Sequence, residues 1–307
     1  MSGEAKISII ILNYNNDKDT VECVNSVKML DYPDFEIILV DNGSSDGSYE
    51  KLKERFGNLM FIRNPKNLGF AEGNNVGIRQ ALANSADYVL VLNNDTIIDK
   101  NFLNEMLAAS KRHPKALIFG PKIYFADDQK KLWYAGGKIN RLTGLPYHIG
   151  ENKMDNGQYD NEREVEFVTG CAMFIKTELF DSIGFFDPDY FCFCEDADLC
   201  FRARKRGTRL VYVPSSILWH KIASTIGRYS PFYLYYRTRN PLIYVMKNKI
   251  RTPFFLLIYF YSLLRRLVGA LVTLNFKGIS AIISGFFDAL TGRSKRRFGS
   301  LNVGKRG

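Results

Sequence analysis

At 307 residues, 46% of them hydrophobic, the chain is long enough to bury the core of one large α/β domain with an appendage. The formal net charge of +10 is concentrated late: from Lys247 onward there are twelve basic residues and one acid, Asp288, so the first 246 residues are close to neutral. A nearly neutral body argues against a nucleic-acid partner, whose binding domain would itself carry the basic charge.

In chain order, residues 7–12 predict a buried strand that ends at Asn13-Tyr14-Asn15-Asn16. Residues 18–29 set Val21, Val24 and Val27 on one helical face, and 35–40 form a second apolar strand closing on Asp41-Asn42-Gly43-Ser44-Ser45-Asp46-Gly47. A helix over 48–56 with Asp46 as its cap, a strand at 59–63 and a helix from Asn67-Leu68-Gly69 to about Asn84 follow. Residues 88–92 are the fourth strand. Strands alternating with helices imply right-handed crossovers and a parallel sheet that binds ligands at the carboxyl ends of its strands. Asn13, Asp41, Asn67 and Asp95 are therefore expected on one rim.

The rest of the chain is less regular. Residues 144–164 read as a loop or small excursion able to cover the site, and 165–175 as a strand kinked at Thr169-Gly170. A helix over 197–206 ends at Gly207, and 209–213 and 217–220 are two short strands. Cys192, Cys194 and Cys200 lack the paired C-x2-C spacing of a zinc site, and the alternation in 190–194 suits an apolar strand. With Cys23 and Cys171 they make five thiols behind a polar N-terminal hexamer, which predicts free cysteines in a reducing, cytoplasmic setting.

Two acidic clusters stand where apolar structure ends: Asn93-Asn94-Asp95, and Glu195-Asp196-Ala197-Asp198, the latter followed by Trp219-His220. Carboxylates at strand ends suit a divalent metal held against a diphosphate, and a separate carboxylate can take a proton from an attacking hydroxyl. The loop after the first strand lacks G-x-G-x-x-G, which removes a dinucleotide-dependent dehydrogenase, and no G-x-x-x-x-G-K-[ST] loop exists. From the residues alone, Asp41 also suits a turn, Asn67 a helix cap, His220 a packed histidine, and Glu195 and Asp198 the positive end of a helix.

The succession Ile10-Ile11-Leu12-Asn13-Tyr14-Asn15, Val40 to Gly47, Leu92-Asn93-Asn94-Asp95, Gly184-Phe185-Phe186-Asp187, Glu195 to Cys200 and Trp219-His220 resembles glycosyltransferase family 2 over roughly residues 6–245. It looks most like the rhamnosyltransferase-like and galactofuranosyltransferase-like branch. The resemblance implies the GT-A nucleotide-sugar fold: a mostly parallel, Rossmann-like sheet with flanking helices. It places Asp41 on the nucleobase imide, and Asn13, Asn67, Gly69, Asn93 and Asn94 around the nucleotide and diphosphate. It makes Asp95 and His220 ligands of Mn2+ or Mg2+, Asp196 the base, and Glu195 and Asp198 supporting acids. Asn93 stands where the family motif often has its first Asp, so the diphosphate must help complete the metal shell.

What the resemblance implies is an inverting, metal-dependent transfer from a UDP- or dTDP-sugar to a hydroxyl of a glycan or lipid-linked acceptor. A catalytically silent sugar-nucleotide-binding protein and a nucleotidyltransferase are the competing classes. Residues 1–246 are expected to form the transferase, with a nucleotide-binding half at 1–120 and an acceptor half at 121–246. Residues 247–307 are expected to form a basic, amphipathic helical appendage. Within it, Arg265-Arg266 interrupts the apolar stretches 253–264 and 267–274, which favours a helix lying in the membrane interface over one that spans. Arg265, Arg266, Lys277 and the cluster at 293–297 would reach headgroups, placing the enzyme peripherally on the inner face of the cell membrane. Packing of this appendage on the body, or on a second copy as a homo-oligomer, is the alternative use.

Overall fold

The computed structural model describes residues 4–221 and 230–292. Its first half is the predicted alternation: β1 (Ile7–Asn13), α1 (Asp17–Val27), β2 (Phe35–Asp41), α2 (Ser48–Arg55), β3 (Met60–Arg63), α3 (Gly69–Ala83) and β4 (Tyr88–Asn93). β1 pairs in parallel with β2 and β4, and β2 with β3. Ile9, Ile10, Ile11 and Val89 to Leu92 are buried, as continuous apolar runs must be when helices cover both faces of a sheet. α3 lies tight on this sheet: a methyl at Gly77 would come within 2.5 Å of the Ile10 side chain.

β5 (Thr96–Ile98), α4 (Phe102–Arg112), β6 (Ala116–Phe125), β7 (Asp128–Tyr134), β8 (Gly137–Ile139), β9 (Pro146–His148), β10 (Arg163–Val165), β11 (Ala172–Lys176), α5 (Glu178–Ile183), α6 (Glu195–Lys205) and β12 (Arg209–His220) complete the body. The sheet runs β10-β12-β6-β11-β4-β1-β2-β3, with β5 on β12 and β7 on β6. β11 is antiparallel to both neighbours, while β12 is parallel to β6.

Several sequence expectations change here. The strand expected over 165–175 is two strands, β10 and β11, that lie in different parts of the sheet. The strands expected at 209–213 and 217–220 are one, β12, whose register slips between Val213 and Ile217. The stretch 190–194 is no strand: a single 3₁₀ turn, Pro188–Tyr190, leads into Phe191, Phe193 and Cys194, all with positive φ. Residues 144–164 do not cover the site. They pack along β6 and β7, where Lys122 is buried between Asp155 and Asp160.

After β12 come α7 (Pro231–Lys247), α8 (Phe255–Val272) and α9 (Phe276–Thr291). α9 packs on α7 through Gly278, Ala281, Ile282 and Gly285, joining a small second core with Phe191, Phe232, Leu234, Tyr235 and Tyr236. Asn240 of α7 is fully buried and donates to the carbonyls of Tyr190, Cys192 and Phe193 at 2.7–2.9 Å, which holds the strained 191–194 loop against the helix. α8 runs unbroken through Arg265-Arg266. By length and composition it is apolar enough to cross a membrane, with a mean hydropathy of 1.7, and most of it is exposed. Arg266 does not extend away from the protein as expected; it turns inward and donates to Thr238 Oγ1 at 3.4 Å. The cluster at 293–297 lies outside the described residues.

Candidate functional site

A cleft of about 200 Å³ opens at the carboxyl ends of β1, β2 and β4. Leu12, Tyr14 and Asn16 line it from the first loop, Asn42 from the second, Asn67, Gly69 and Phe70 from the third, and Asn93, Asn94 and Asp95 from the fourth. Phe191, Cys192 and Phe232 close the other side. These three carry no charge or motif; the apolar character of 190–194 signalled Phe191 and Cys192, and nothing in the sequence signalled Phe232.

Asn13 and Asp41 meet because β1 and β2 pair in register. Both are buried beneath the rim rather than open to the cleft. Asn13 donates to Asp41 Oδ2 at 3.0 Å and accepts from Thr20, while Ser44 N–H donates to Asp41 Oδ1 at 3.0 Å. Asn94, on the rim, donates to the same Thr20 hydroxyl at 2.8 Å. The network fixes the first, second and fourth loops relative to one another.

The N-terminus of α3 is engaged within the chain. Asn67 Oδ1 accepts from Gly69 N–H at 2.8 Å, and the carbonyl of Phe191 accepts from Phe70 and Ala71 N–H at 2.6 and 3.2 Å. Those groups are occupied within the chain, so Asn67 acts here as the local cap. Asn42 ties the same region together through Asn64, Asn67, Leu68 and Gly69. Gly69 sits at φ +84° with Phe191 O 2.5 Å from where a Cβ would be. Gly69→Ala should therefore cost about 1–3 kcal/mol, read as a lowered urea midpoint, and should weaken nucleotide binding as Phe191 is pushed from the cleft wall. An unchanged midpoint would contradict this contact.

Asp95 and His220 are joined by the antiparallel pairing of β5 with β12, which sets Thr96 opposite His220. Asp95 Oδ1 lies 3.1 Å from His220 Nε2, yet forms no aligned hydrogen bond and is buried without another partner. The His220 ring packs edge-on against Trp133, which fixes its plane. Burial favours the neutral forms of both groups; against it, Cys171 and Asp95 beside the ring raise His220 well above its usual range, and His220 holds Asp95 below its own. Cys171, beside His220, is pushed up by burial and stays a neutral thiol. An orphaned carboxylate oxygen next to an imidazole nitrogen is a donor pair that fits a divalent cation. Among the described residues no third His, Cys, Asp or Glu completes a set, so the other ligands would be diphosphate oxygens and water.

The second acidic cluster opens α6. Asp196 accepts from Gly170 N–H at 2.9 Å and from Ala197 N–H at 2.8 Å. Gly170 in turn lies between Asp196 and the cleft residue Phe70. Burial raises Asp196 above the ordinary carboxylate range despite those N–H donors. Glu195 is buried more deeply, with Oε2 unpartnered, and burial plus the charge of Asp196 raise it further. Asp198 is taken up by Arg202 at 2.7 Å, Tyr190 and Asn248, and anchors the helix. The five cysteines are free, and among the described residues no group of three or more His, Cys, Asp or Glu is placed to hold a metal.

The family description "Glycosyl transferase family 2" matches residues 8–184. The chain belongs to glycosyl transferase family 2. It is accordingly a glycosyltransferase. It is 26% identical over 240 residues to an N-acetylglucosaminyl-diphospho-decaprenol L-rhamnosyltransferase of Mycobacterium tuberculosis, covering 72% of this chain and 78% of that one. It is 28% identical over 228 residues to a poly-beta-1,6-N-acetyl-D-glucosamine synthase of Staphylococcus aureus, covering 72% of this chain and 51% of the synthase. Among solved structures, the mannosyltransferase PcManGT of Pyrobaculum calidifontis, in complex with GDP-Man and Mn2+, superposes with a TM-score of 0.59 at 14% identity, over 95% of this chain and 89% of that one. GalNAc-T7 with UDP, GalNAc and Mn2+ gives 0.61 at 17% identity, over 80% of this chain and 50% of its own. The family 2 chain thus spans about half the length of the synthase and of GalNAc-T7. It shares the GT-A fold with both solved enzymes.

Proposed function

We propose that this family 2 enzyme transfers a sugar from a UDP- or dTDP-sugar to a hydroxyl of a glycan or lipid-linked acceptor, by direct displacement with inversion. The observation that carries this reading is a buried, under-bonded pair, Asp95 on the cleft wall and His220 behind it, with Asp196, a carboxylate oriented by two backbone donors, beyond Gly170 and the cleft residue Phe70. Asp95 and His220 would hold Mn2+ or Mg2+, which when bound offsets charge on the departing nucleoside diphosphate. Asn93 and Asn94 present neutral amides beside it, so the diphosphate meets no repelling carboxylate there. Asp196 takes the proton from the acceptor hydroxyl as that oxygen bonds to the anomeric carbon, and no covalent nucleophile is required. Asp41 and Asn13 would act on the nucleobase indirectly, by bracing the rim loops that hold it. Incubating the purified protein with a panel of UDP- and dTDP-sugars tests the reading: metal-dependent release of UDP or dTDP from one of them is expected, and release from none would refute it.

We further propose that residues 1–246 are the transferase body and that the later helices hold it on the inner face of the cell membrane, with α8 lying in the interface. The support is the outer face of α8, where Leu257, Leu264, Val268 and Val272 are exposed while Arg266 is tied inward to α7. Because α9 covers α7, truncation at residue 246 would uncover a buried helix face, and substitution on the surface is the cleaner test. Changing Leu257, Leu264 and Val268 together to Glu should weaken co-sedimentation with phosphatidylglycerol vesicles at least about tenfold. Added salt should weaken wild-type binding as well, and equal sedimentation of the two proteins would remove the membrane placement.

A further inference from the structure

The β8–β9 hairpin carries large apolar side chains for which glycosyl transfer has no use. Its register pairs Lys138 with Tyr147, which sets these two side chains together on one face, while Gly137, Ile139, Pro146 and His148 fall on the other. Tyr147 is 47% exposed, and Leu142, in the turn, 51%. The hairpin is braced from within: Ile139 and Leu145 pack on the main core, and the His148 ring stacks on Phe167 and meets Trp133 edge-on. Tyr147 and Leu142 are thus held outward by a fixed element.

The turn of the hairpin meets the chain that leads into α8. A methyl at Gly144 would lie 2.5 Å from Ile250 Cγ2 and 3.5 Å from Thr252 Cγ2. Leu142 is two residues before that contact, and the exposed Phe254 is two residues beyond Thr252. Two residues of chain span at most about 7 Å, so the hairpin turn adjoins the exposed start of α8 at Phe254, Leu256 and Leu257. The charge there has one sign. Residues 137–150 and 248–287 contain no Asp or Glu, while Lys138, Arg141, Lys249 and Arg251 are exposed. Of these, Arg141 is paired with Glu166 of a neighbouring segment. Apolar side chains rimmed by cations match an anionic bilayer, where the tyrosine sits at headgroup level and the cations answer lipid phosphates. A second copy of this chain would instead bring like charges together. We infer that the β8–β9 hairpin is a second lipid contact, inserting Leu142 and Tyr147 into an anionic membrane surface beside the start of α8. This rests on the membrane placement proposed for α8 and deepens it. A lone helix in the interface can roll about its own axis, and a contact from another element removes that freedom. Trp133 carries the constraint toward the cleft, its ring centre 4.5 Å from that of His148 and 4.6 Å from that of His220.

A tryptophan on the hairpin reports the contact directly. Tyr147→Trp should add emission to that of Trp133 and Trp219, and vesicles of brominated phosphatidylglycerol that bind the full chain should quench the added part. Leu142→Glu with Tyr147→Glu should weaken co-sedimentation with phosphatidylglycerol vesicles about tenfold. Lys138→Gln with Lys249→Gln should weaken it by about as much and flatten its salt dependence. UDP affinity and the urea midpoint should hold, because all four side chains are exposed and none lines the cleft. Added emission that bound vesicles leave unquenched would overturn the inference, whether or not the Glu variant folds. A Glu variant that sediments like the wild type would do the same. So would light scattering without lipid in which the wild type is a dimer and the Glu variant a monomer, since the patch would then serve a second copy. Wild-type binding that weakens on substitution of α8 but not of the hairpin removes this contact alone, whereas wild-type protein that binds no vesicles removes the membrane placement beneath it.

Discussion

Asp196→Asn should lower glycosyl transfer by about 10²–10⁴-fold while donor affinity stays within about twofold. The amide keeps the shape of the carboxylate and can still accept from one of the two N–H donors, Gly170 or Ala197, though its NH2 then faces the other. What it loses is the capacity to take the proton of the acceptor hydroxyl. The neighbouring acids make different predictions. Glu195 is held well above the usual carboxylate range by burial and by the charge of Asp196, so it ionises less readily and Glu195→Gln should be much milder. Asp198→Asn would break the bond to Arg202 and appear first as lost stability. Because the Asp196 proton affinity is raised and the base must be ionised to act, the rate should fall on acidification from a pH above that of an ordinary carboxylate, about 4. An active Asp196→Asn beside an inactive Glu195→Gln would mean that the base is Glu195.

Asp95→Asn and His220→Gln should each abolish divalent-dependent donor turnover. Among the described residues the proposed site has these two protein donors, so losing either would leave a hard cation with one. Both substitutions retain volume, which matters because His220 packs on Trp133 and Asp95 adjoins the β5–β12 pairing. Folding should therefore survive, and excess Mn2+ should rescue part of the activity. Full turnover by Asp95→Asn in chelator-treated buffer would remove the metal role.

The first half of the chain was legible because its central strands are buried on both faces, which writes them as unbroken apolar runs with polar residues where the rim begins. The second half was less so. β12 is interrupted by a register slip at Pro214 to Ser216, and local pattern alone divides it in two. The 190–194 stretch alternates like a strand because its apolar residues pack against Phe232 and Tyr236 of α7, a partner that local sequence does not announce. The capping of α3 by the Phe191 carbonyl is hidden for the same reason. Asp95 and His220 are far apart in sequence, so only the family resemblance, not their spacing, could pair them; the structure brings them to 3.1 Å.

The central claim is displacement with inversion by a base at Asp196, and it is tested most directly by following one turnover of the accepted donor by proton NMR in the presence of Mn2+. The expected spectrum shows UDP or dTDP as the nucleotide product and a transferred sugar whose anomeric configuration is opposite to that of the donor. Retention of the donor's configuration, or formation of a nucleoside triphosphate from the nucleotide sugar and diphosphate, would contradict it.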